Sequence, residues 1–185
     1  MPRSRFQKSF AVIDASCLIC LLHLKDLLPQ PDFLQALSLR YQTVYIPRYV
    51  QEEVRRKGRI RHRLLDVIQR YPILEICNVE SEYDAQLLYD HHRNPRAPID
   101  RGEAEVITQA RERRVFEVLI DDRKARATAE ELNLIVKGTA KLLVEFETIG
   151  IIEKAKPLIE MLRKAGKLRL SEKLFKEILK QAGEE

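Results

Sequence analysis

Short runs of β-branched and aromatic residues alternate along this chain with longer segments of helical periodicity. The runs predict strands at residues 10–13, 43–46, 73–77, 115–120 and 133–136. Helices are predicted around them, up to residue 24, from residue 49, and at residues 32–39, 60–70, 80–92, 101–113, 123–132 and 139–148. Because neighbouring parallel strands need a crossover connection, this alternation predicts a three-layer α/β/α fold with a central parallel sheet.

The C-terminal part of the chain is predicted to be a helical extension packed on the same domain. The chain has 185 residues, a length that suits one domain. Residues 157–182 form two helical patterns that meet near Gly166, and the second carries an apolar stripe of Leu174, Phe175, Ile178 and Leu179. We expect this stripe to pack on the main domain or on a second copy, in preference to a role as a nucleic-acid-binding arm. The expected division is residues 1–152 for the α/β domain and 153–185 for the extension.

Secreted and membrane proteins are disfavoured by the residues near the N-terminus and by the cysteines. Asp14 interrupts the apolar stretch that follows the basic N-terminus, which neither a signal peptide nor a membrane span tolerates well. The three cysteines are an odd number and do not form a disulfide framework. We therefore expect a cytoplasmic protein that makes no membrane contact. The formal net charge of +5 suits a polyanionic partner but does not by itself indicate one.

Cys17 and Cys20 form a C-x-x-C pair inside an apolar run. Such a pair occurs in redox sites and as half of a structural zinc site, but a zinc site needs four ligands and no second pair follows at a usable spacing. We interpret both residues as small buried hydrophobic side chains.

Acidic residues gather where the predicted strands end. Asp14 follows the first strand directly, and Asp121 and Asp122 follow the fourth. Further acids lie early in the helices that begin near residues 49 and 101: Glu52, Glu53, Glu103 and Glu105. Because ligands of parallel sheets bind outside the carboxyl ends of the strands, we expect these carboxylates to lie near one edge of the sheet.

Each acid alone also has a structural explanation, as a helix N-cap or as a charge that favours a helix N-terminus. Four or more carboxylates at one edge would, however, repel each other by several kcal/mol unless a cation lies among them. Hard divalent ions accept all-oxygen ligands, and two of them can assist displacement at a phosphodiester. The pattern therefore predicts one or two Mg²⁺ or Mn²⁺ ions.

Four runs of sequence resemble the four motifs of PIN domains: residues 12–16 (VIDAS), 47–54 (PRYVQEEV), 102–107 (GEAEVI) and 119–126 (LIDDRKAR). The resemblance spans about residues 10–152, and the C-terminal helices resemble those of a prokaryotic subfamily related to VapC-type toxins. Many relatives carry Asp at the acidic position of the third motif, where this chain has Glu103. The resemblance implies a PIN-like α/β/α fold and a metal-dependent endoribonuclease.

The resemblance also implies a role for each acid. It assigns four residues as catalytic and metal-binding: Asp14, Glu53, Glu103 and Asp122. Asp121 is a further metal ligand, and Glu105 remains an alternative to Glu103 as the third acid. These residues are expected to hold the ions that activate water for attack on the scissile phosphorus.

Basic residues near these motifs are candidates for binding RNA. The expected RNA-binding residues are Ser16, Arg55, Arg56, Arg123 and Arg126. Arg55 and Arg56 open a basic cluster that continues through Lys57, Arg59, Arg61 and Arg63. A solvated face or ordinary salt bridges would explain the same residues equally well.

RNA is the expected partner, with a small antitoxin protein as a second candidate and a homodimer as the expected assembly. A PIN nuclease that serves RNA processing without an antitoxin is a related alternative. A catalytically inactive PIN-like RNA-binding or scaffold protein is the alternative from another functional class. A phosphoryl-transfer receiver domain is disfavoured, because it would carry its acid pair after the first strand, where this chain has Asp14 alone.

Overall fold

The computed structural model describes residues 8–28, 30–57, 64–91 and 99–183. Within these ranges five strands form one sheet in the order β3-β2-β1-β4-β5, and every neighbouring pair is parallel. The strands are β1 (Ser9–Ile13), β2 (Tyr41–Pro47), β3 (Leu74–Cys77), β4 (Glu117–Leu119) and β5 (Ile135–Lys137). The predicted parallel sheet is confirmed.

Helices connect the strands and cover both faces of the sheet, which confirms the predicted three-layer α/β/α class. In the described part of the chain they are α1 (Ala15–Leu27), α2 (Phe33–Arg40), α3 (Arg48–Lys57), α4 (Leu64–Arg70), α5 (Glu82–His91), α6 (Arg101–Glu112), α7 (Arg123–Glu131), α8 (Thr139–Thr148), α9 (Lys156–Lys164) and α10 (Glu172–Ala182). None of these helices has both the length and the apolar character that crossing a membrane requires. The start of the predicted helix at residues 60–70 lies outside the described residues, as do Arg59, Arg61 and Arg63.

The fourth strand is shorter than its sequence predicts. Residues 115–120 have strand character, but the ladder of β4 pairs only Glu117, Val118 and Leu119 with β1. The backbone N–H of Val115 instead donates to the carbonyl of Ala110, which closes the turn after α6. Local propensity therefore overestimates this strand, because its length is set by the neighbouring strand and turn.

The core lies on both sides of β1 and β4. Val12 is fully buried between Tyr45 of β2 and Val118 of β4. Helix α1 is apolar around most of its circumference and packs against α2, α3, α8 and α9, so most of its apolar side chains are buried. Its Cys17 and Cys20 are free thiols buried in this core, as predicted from the sequence.

The apolar stripe of α10 packs within the same chain. Phe175, Ile178 and Leu179 are buried, and α10 contacts α8. Buried residues of α9 and α10 belong to the same continuous core as the sheet. The boundary between residues 152 and 153 stays a prediction.

Candidate functional site

A cavity of about 630 Å³ opens at the carboxyl ends of β1, β4 and β5. Six acids are among the described residues that line it: Asp14, Glu53, Asp100, Glu103, Asp121 and Asp122. Five basic residues line the same cavity: Arg123, Arg126, Lys141, Lys167 and Arg169. The predicted convergence at one edge of the sheet is therefore observed for Asp14, Glu53, Glu103, Asp121 and Asp122, whereas Glu52 and Glu105 are not among the described residues that line the cavity.

Hydrogen bonds between strand ends bring the acids of β1 and β4 together. The backbone N–H of Asp14 donates to the carbonyl of Leu119 at 2.9 Å, which places Asp14 beside the chain that continues into Asp121 and Asp122. The N–H of Ile120 donates at 2.8 Å to the carbonyl of Lys137 at the end of β5. These two bonds extend the sheet to the cavity.

Asp14 caps helix α1. Its Oδ2 accepts hydrogen bonds from the backbone N–H of Ser16 at 3.0 Å and from the Ser16 hydroxyl. Its side chain is buried, with 4% of the residue exposed. The Ser16 hydroxyl, which also lines the cavity, therefore fixes the orientation of this carboxylate.

Asp100 and Glu103 form a capping box at the start of α6. The N–H of Glu103 donates to Asp100 Oδ1 at 2.9 Å, and Glu103 Oε2 accepts from the N–H of Asp100 at 2.7 Å. Asp122 similarly caps α7, with Oδ1 accepting from the N–H groups of Lys124 at 2.7 Å and Ala125 at 3.1 Å. The capping explanation for these acids is therefore correct for Asp14, Asp100 and Asp122.

Capping uses only one oxygen in each of these four carboxylates, and in Asp100 it is Oδ1. Asp14 caps through Oδ2, Glu103 bonds through Oε2, and Asp122 caps through Oδ1. The second oxygen of each accepts no hydrogen bond from the part of the chain that the structure describes. Each carboxylate can therefore hold its helix and still offer an oxygen to a ligand.

Burial and like charges raise the pKa values of two acids in the cavity. Burial raises the pKa of Asp14 to about 6, against the hydrogen bonds from Ser16, and the charges of Asp100 and Glu53 add to the increase. Burial raises the pKa of Glu103 to about 8, with the charge of Asp100 as the next cause. Carboxylates that disfavour each other's ionisation in this way form a site that a cation would stabilise.

Asp121 differs from its neighbour because both of its oxygens are engaged. Oδ1 accepts from the N–H of Thr139 at 2.7 Å, and Oδ2 accepts from the Thr139 hydroxyl at 2.6 Å. A Cβ at Gly138 would lie 2.8 Å from Oδ1, so only glycine lets the start of α8 approach this closely. Asp121 thus joins the end of β4 to α8, whereas Asp122 keeps an oxygen for the cavity.

Glu53 reaches the cavity because of a glycine on the helix that faces it. A Cβ at Gly102 would lie 2.9 Å from Glu53 Oε2 and 3.3 Å from Asp100 Oδ1. The glycine therefore makes room for two carboxylates at the start of α6.

Glu105 lies two residues after Glu103 on α6, but its side chain does not line the cavity. It accepts from the backbone N–H of Tyr49 at 3.3 Å and pairs with Arg101 at 3.6 Å. Of the two candidates for the third acid, Glu103 is the one that faces the other carboxylates.

The predicted RNA-binding residues are divided between two regions. Ser16, Arg123 and Arg126 line the cavity. Arg55 and Arg56 are exposed on α3 and are not among the described lining residues, and Arg56 pairs with Glu52 at 3.1 Å. The prediction grouped these arginines by nearness in sequence, but successive residues of a helix face different directions.

The cavity offers the donor atoms that a hard divalent ion prefers, since its candidate ligands are carboxylate oxygens and a hydroxyl. Within the described ranges, the side chains as oriented form no group of three or more His, Cys, Asp or Glu residues that could hold an ion together. Mg²⁺ commonly binds one or two carboxylates directly and keeps several waters, which suits carboxylates spread around a cavity. The residues present therefore fit such an ion, with some reorientation or bridging water.

Four cavity residues were not identified as functional from the sequence. A usable signal for Asp100 was its spacing to Glu103, which matches a capping box. Nothing local in the sequence distinguishes Lys141, Lys167 and Arg169 from other surface cations. Their position in the cavity depends on how α9 and α10 pack on the domain.

Comparisons with known proteins identify the family of this chain. No curated protein matches the chain. The crystal structure of VapBC2 from Rickettsia felis bound to a DNA fragment from their promoter is similar, with a TM-score of 0.45 and 14% identity over 70% of this chain and 98% of that one. A family model described as PIN domain matches residues 10–184, which is nearly the whole chain. The protein therefore belongs to the PIN-domain family, whose members are nucleases.

Proposed function

We propose that this protein is a metal-dependent endoribonuclease that hydrolyses RNA phosphodiester bonds with Mg²⁺ or Mn²⁺. The observation that carries the proposal is the shared cavity, which Asp14, Glu53, Glu103 and Asp122 line although they lie on four separate stretches of chain. Membership of a nuclease family adds independent support.

The four acids are the proposed ligands of one or two ions, and Asp121 is a further ligand or a positioning residue at the floor of the cavity. An ion held there would supply activation of water as nucleophile and neutralisation of charge on the departing oxygen. Ser16 holds the Asp14 carboxylate through Oδ2, which leaves Oδ1 for the ion.

Arg126 is proposed to bind a phosphate oxygen of the substrate. It lines the cavity, and its buried Nε has no hydrogen-bond acceptor among the described residues. A buried donor without an acceptor is costly, so an anionic ligand that accepts from it would be favoured. Arg123 is exposed on the same helix and is proposed to assist.

The test is RNA cleavage by an Asp14→Asn variant, since asparagine can keep the N-cap while it removes the charge. We expect cleavage to fall about a hundredfold or more, because ligand-held ions contribute several kcal/mol to such reactions. Asp84→Asn on α5 is the matched control, because Asp84 is exposed and is not a lining residue of the cavity. Full metal-dependent cleavage by Asp14→Asn would refute the assignment.

A catalytically inactive RNA-binding or scaffold protein is the second candidate. It is favoured by the lack of any ready group of three metal-binding side chains within the described ranges. Calorimetric titration with Mn²⁺ and Mg²⁺, followed by incubation with RNA, separates the two candidates. Binding of RNA without product under either metal would support the inactive protein.

We further propose, from the resemblance of the C-terminal helices to those of a prokaryotic PIN subfamily related to VapC-type toxins, that the protein is a cytoplasmic toxin that forms a homodimer and is inhibited by a small antitoxin. Induced expression should then arrest bacterial growth, and Asp14→Asn should abolish the arrest. Light scattering during size-exclusion chromatography measures the assembly. Normal growth with a cleavage-competent protein would favour a role in RNA processing.

A further inference from the structure

The segment between α9 and α10, residues 166–171, forms part of the wall of the carboxylate cavity. We call it the α9–α10 connector. It is far from the acidic motifs in sequence, yet Lys167 and Arg169 line the same cavity as Asp14 and Glu103. A ligand of this cavity would therefore contact both the carboxylates, directly or through a metal ion, and the two cations of the connector.

The connector is held in a defined conformation. Gly166 has a φ of +65°, a value that favours glycine, and the N–H of Lys167 then donates to the carbonyl of Leu162 at 2.9 Å. Leu168 is buried, with 4% exposed, and the Cys20 thiol donates to the carbonyl of Lys167 at 3.5 Å. These contacts fix the backbone from Gly166 to Leu168.

Lys167 and Arg169 point outward because Leu168 between them points inward. Both are exposed, and neither has a carboxylate within ion-pair distance in the part of the chain that the structure describes. Arg163, by contrast, already has partners, since it pairs with Glu172 and lies 4.6 Å from the Phe175 ring centre. The two connector cations are therefore available to an anionic ligand.

A second cavity, of about 790 Å³, adjoins the first along the connector. Residues 168–171 line both cavities, so the connector forms the boundary between them. The described lining of the second cavity adds Lys164, Arg163 and one acid, Glu160. An extended ligand can therefore pass from the carboxylates across Arg169 to Lys164.

We propose that the α9–α10 connector binds the backbone of the RNA substrate beyond the scissile bond, with Lys167 and Arg169 contacting successive phosphates that lead into the second cavity. The proposal rests on the proposed nuclease function. The cations line the cavity in which hydrolysis is proposed to occur, so the nearest anions during the reaction are the phosphates of the substrate. Lysine and arginine side chains bind such phosphates without reading the sequence.

The test measures binding of a fluorescein-labelled single-stranded RNA in an Asp14→Asn background, at several KCl concentrations. Neutralising both connector cations, as Lys167→Gln with Arg169→Gln, should reduce the slope of log affinity against log salt by about 1.4, since each single-strand phosphate contact contributes about 0.7. The conservative exchange Lys167→Arg with Arg169→Lys should keep the slope.

Lys173→Gln with Lys176→Gln is the matched control. Both lysines are exposed on α10, neither is a described lining residue of either cavity, and the change in net charge is the same. An equal loss of slope in both double variants would overturn the proposal, because the effect would then be one of overall charge. No loss in the connector variant would also overturn it and leave an acidic protein as the remaining class of ligand.

Cleavage of the same RNA is measured in parallel with Asp14 intact, so that the two proposals can fail separately. Connector-dependent binding without cleavage under Mg²⁺ or Mn²⁺ would refute the nuclease and support the connector as an RNA-binding element. Cleavage with connector-independent binding would support the nuclease and refute the connector. Circular dichroism and thermal unfolding of each variant verify that the fold is kept.

Discussion

Single carboxylates serve two purposes in this protein, because each has two oxygens. Asp14, Glu103 and Asp122 use one oxygen at a helix N-terminus, and the other accepts no hydrogen bond from the described residues. The helix N-termini also favour negative charge, which offsets part of the repulsion between these acids. Structural and proposed chemical roles therefore reinforce each other at the same residues.

Raised pKa values make the stability of the metal-free protein depend on pH. A glutamate side chain ordinarily has a pKa of 4.5, whereas the pKa of Glu103 in the folded protein is about 8. The folded state thus binds the extra proton, so this contribution to stability is complete below pH 4.5 and is lost as the pH rises through about 8. We expect the melting temperature in EDTA to fall from about pH 5 to about pH 8.5, and to fall less in Glu103→Gln.

Glutamine keeps an acceptor for the N–H of Asp100 but does not titrate, so the difference between the two proteins isolates Glu103. An equal fall of the melting temperature with pH in both proteins would contradict the prediction. Added Mg²⁺ should raise the melting temperature more at about pH 8.5 than at about pH 5, because deprotonated carboxylates bind it.

Gly102 should determine where the Glu53 carboxylate lies, without contributing to the stability of the fold. A Gly102→Ala substitution improves helix propensity by about 1 kcal/mol, but its Cβ would displace the Glu53 carboxylate. We expect Mn²⁺ affinity by calorimetry to fall about 10- to 100-fold, as for disturbed metal-ligand orientation, while the melting temperature is kept. In a Glu53→Gln background the same substitution should cause little further loss, and an undiminished loss there would show another mechanism.

At the scale of elements, helix starts determine where the site residues lie, and caps distant from the site should affect stability alone. Asp32 caps α2 by accepting from the N–H groups of Leu34 at 3.1 Å and Gln35 at 3.2 Å. It is not among the described residues that line either cavity.

The Oδ2 of Asp32 also accepts from the Lys25 ammonium at 2.8 Å and from the Tyr71 hydroxyl. Asp32→Ala should therefore lower the free energy of unfolding by about 2 kcal/mol through the lost cap and the lost acceptor, and Asp32→Asn by less, because asparagine also caps. Urea unfolding measures both variants, and RNA cleavage per folded molecule should stay unchanged. A fall in cleavage by Asp32→Ala under conditions where it is fully folded would contradict this separation.

At the scale of the whole molecule, the C-terminal helices complete the domain as well as the cavity. Phe175 of α10 is buried against the domain and lies beneath Arg163, close to the connector. If the chain is one cooperative unit, the loss of this side chain should be felt by the entire fold.

Phe175→Ala should lower the free energy of unfolding by about 3 kcal/mol in a single transition, through lost burial and a residual cavity. Lys176→Ala, at the exposed neighbouring position, is the control and should change it little. Calorimetry tests the prediction: a separate low-temperature transition in Phe175→Ala would show instead that residues 153–185 unfold independently.

The order and type of the elements follow from the sequence because their signals are local. Helical periodicity and end signals placed α8 at residues 139–148 and α6 within one residue at its end, as observed. Strand lengths agree less well, as in β4, because a strand ends where its neighbour stops pairing. The acids at strand ends were predictable for a related reason, since parallel strands bring all their carboxyl ends to one edge.

Only the tertiary structure decided which side chains face the cavity. Glu103 and Glu105 have the same charge and lie on the same helix. Glu103 lines the cavity, whereas Glu105 bonds to the backbone of Tyr49. Lys167 joins Asp14 only because α9 and α10 fold back onto α1 and α8. The alternation of strands and helices, and the acids that end the strands, were determined by the sequence itself, because periodicity and chain direction are local properties. The connector and the unused carboxylate oxygens depend on contacts between residues far apart in the chain, and those contacts exist only in the folded protein.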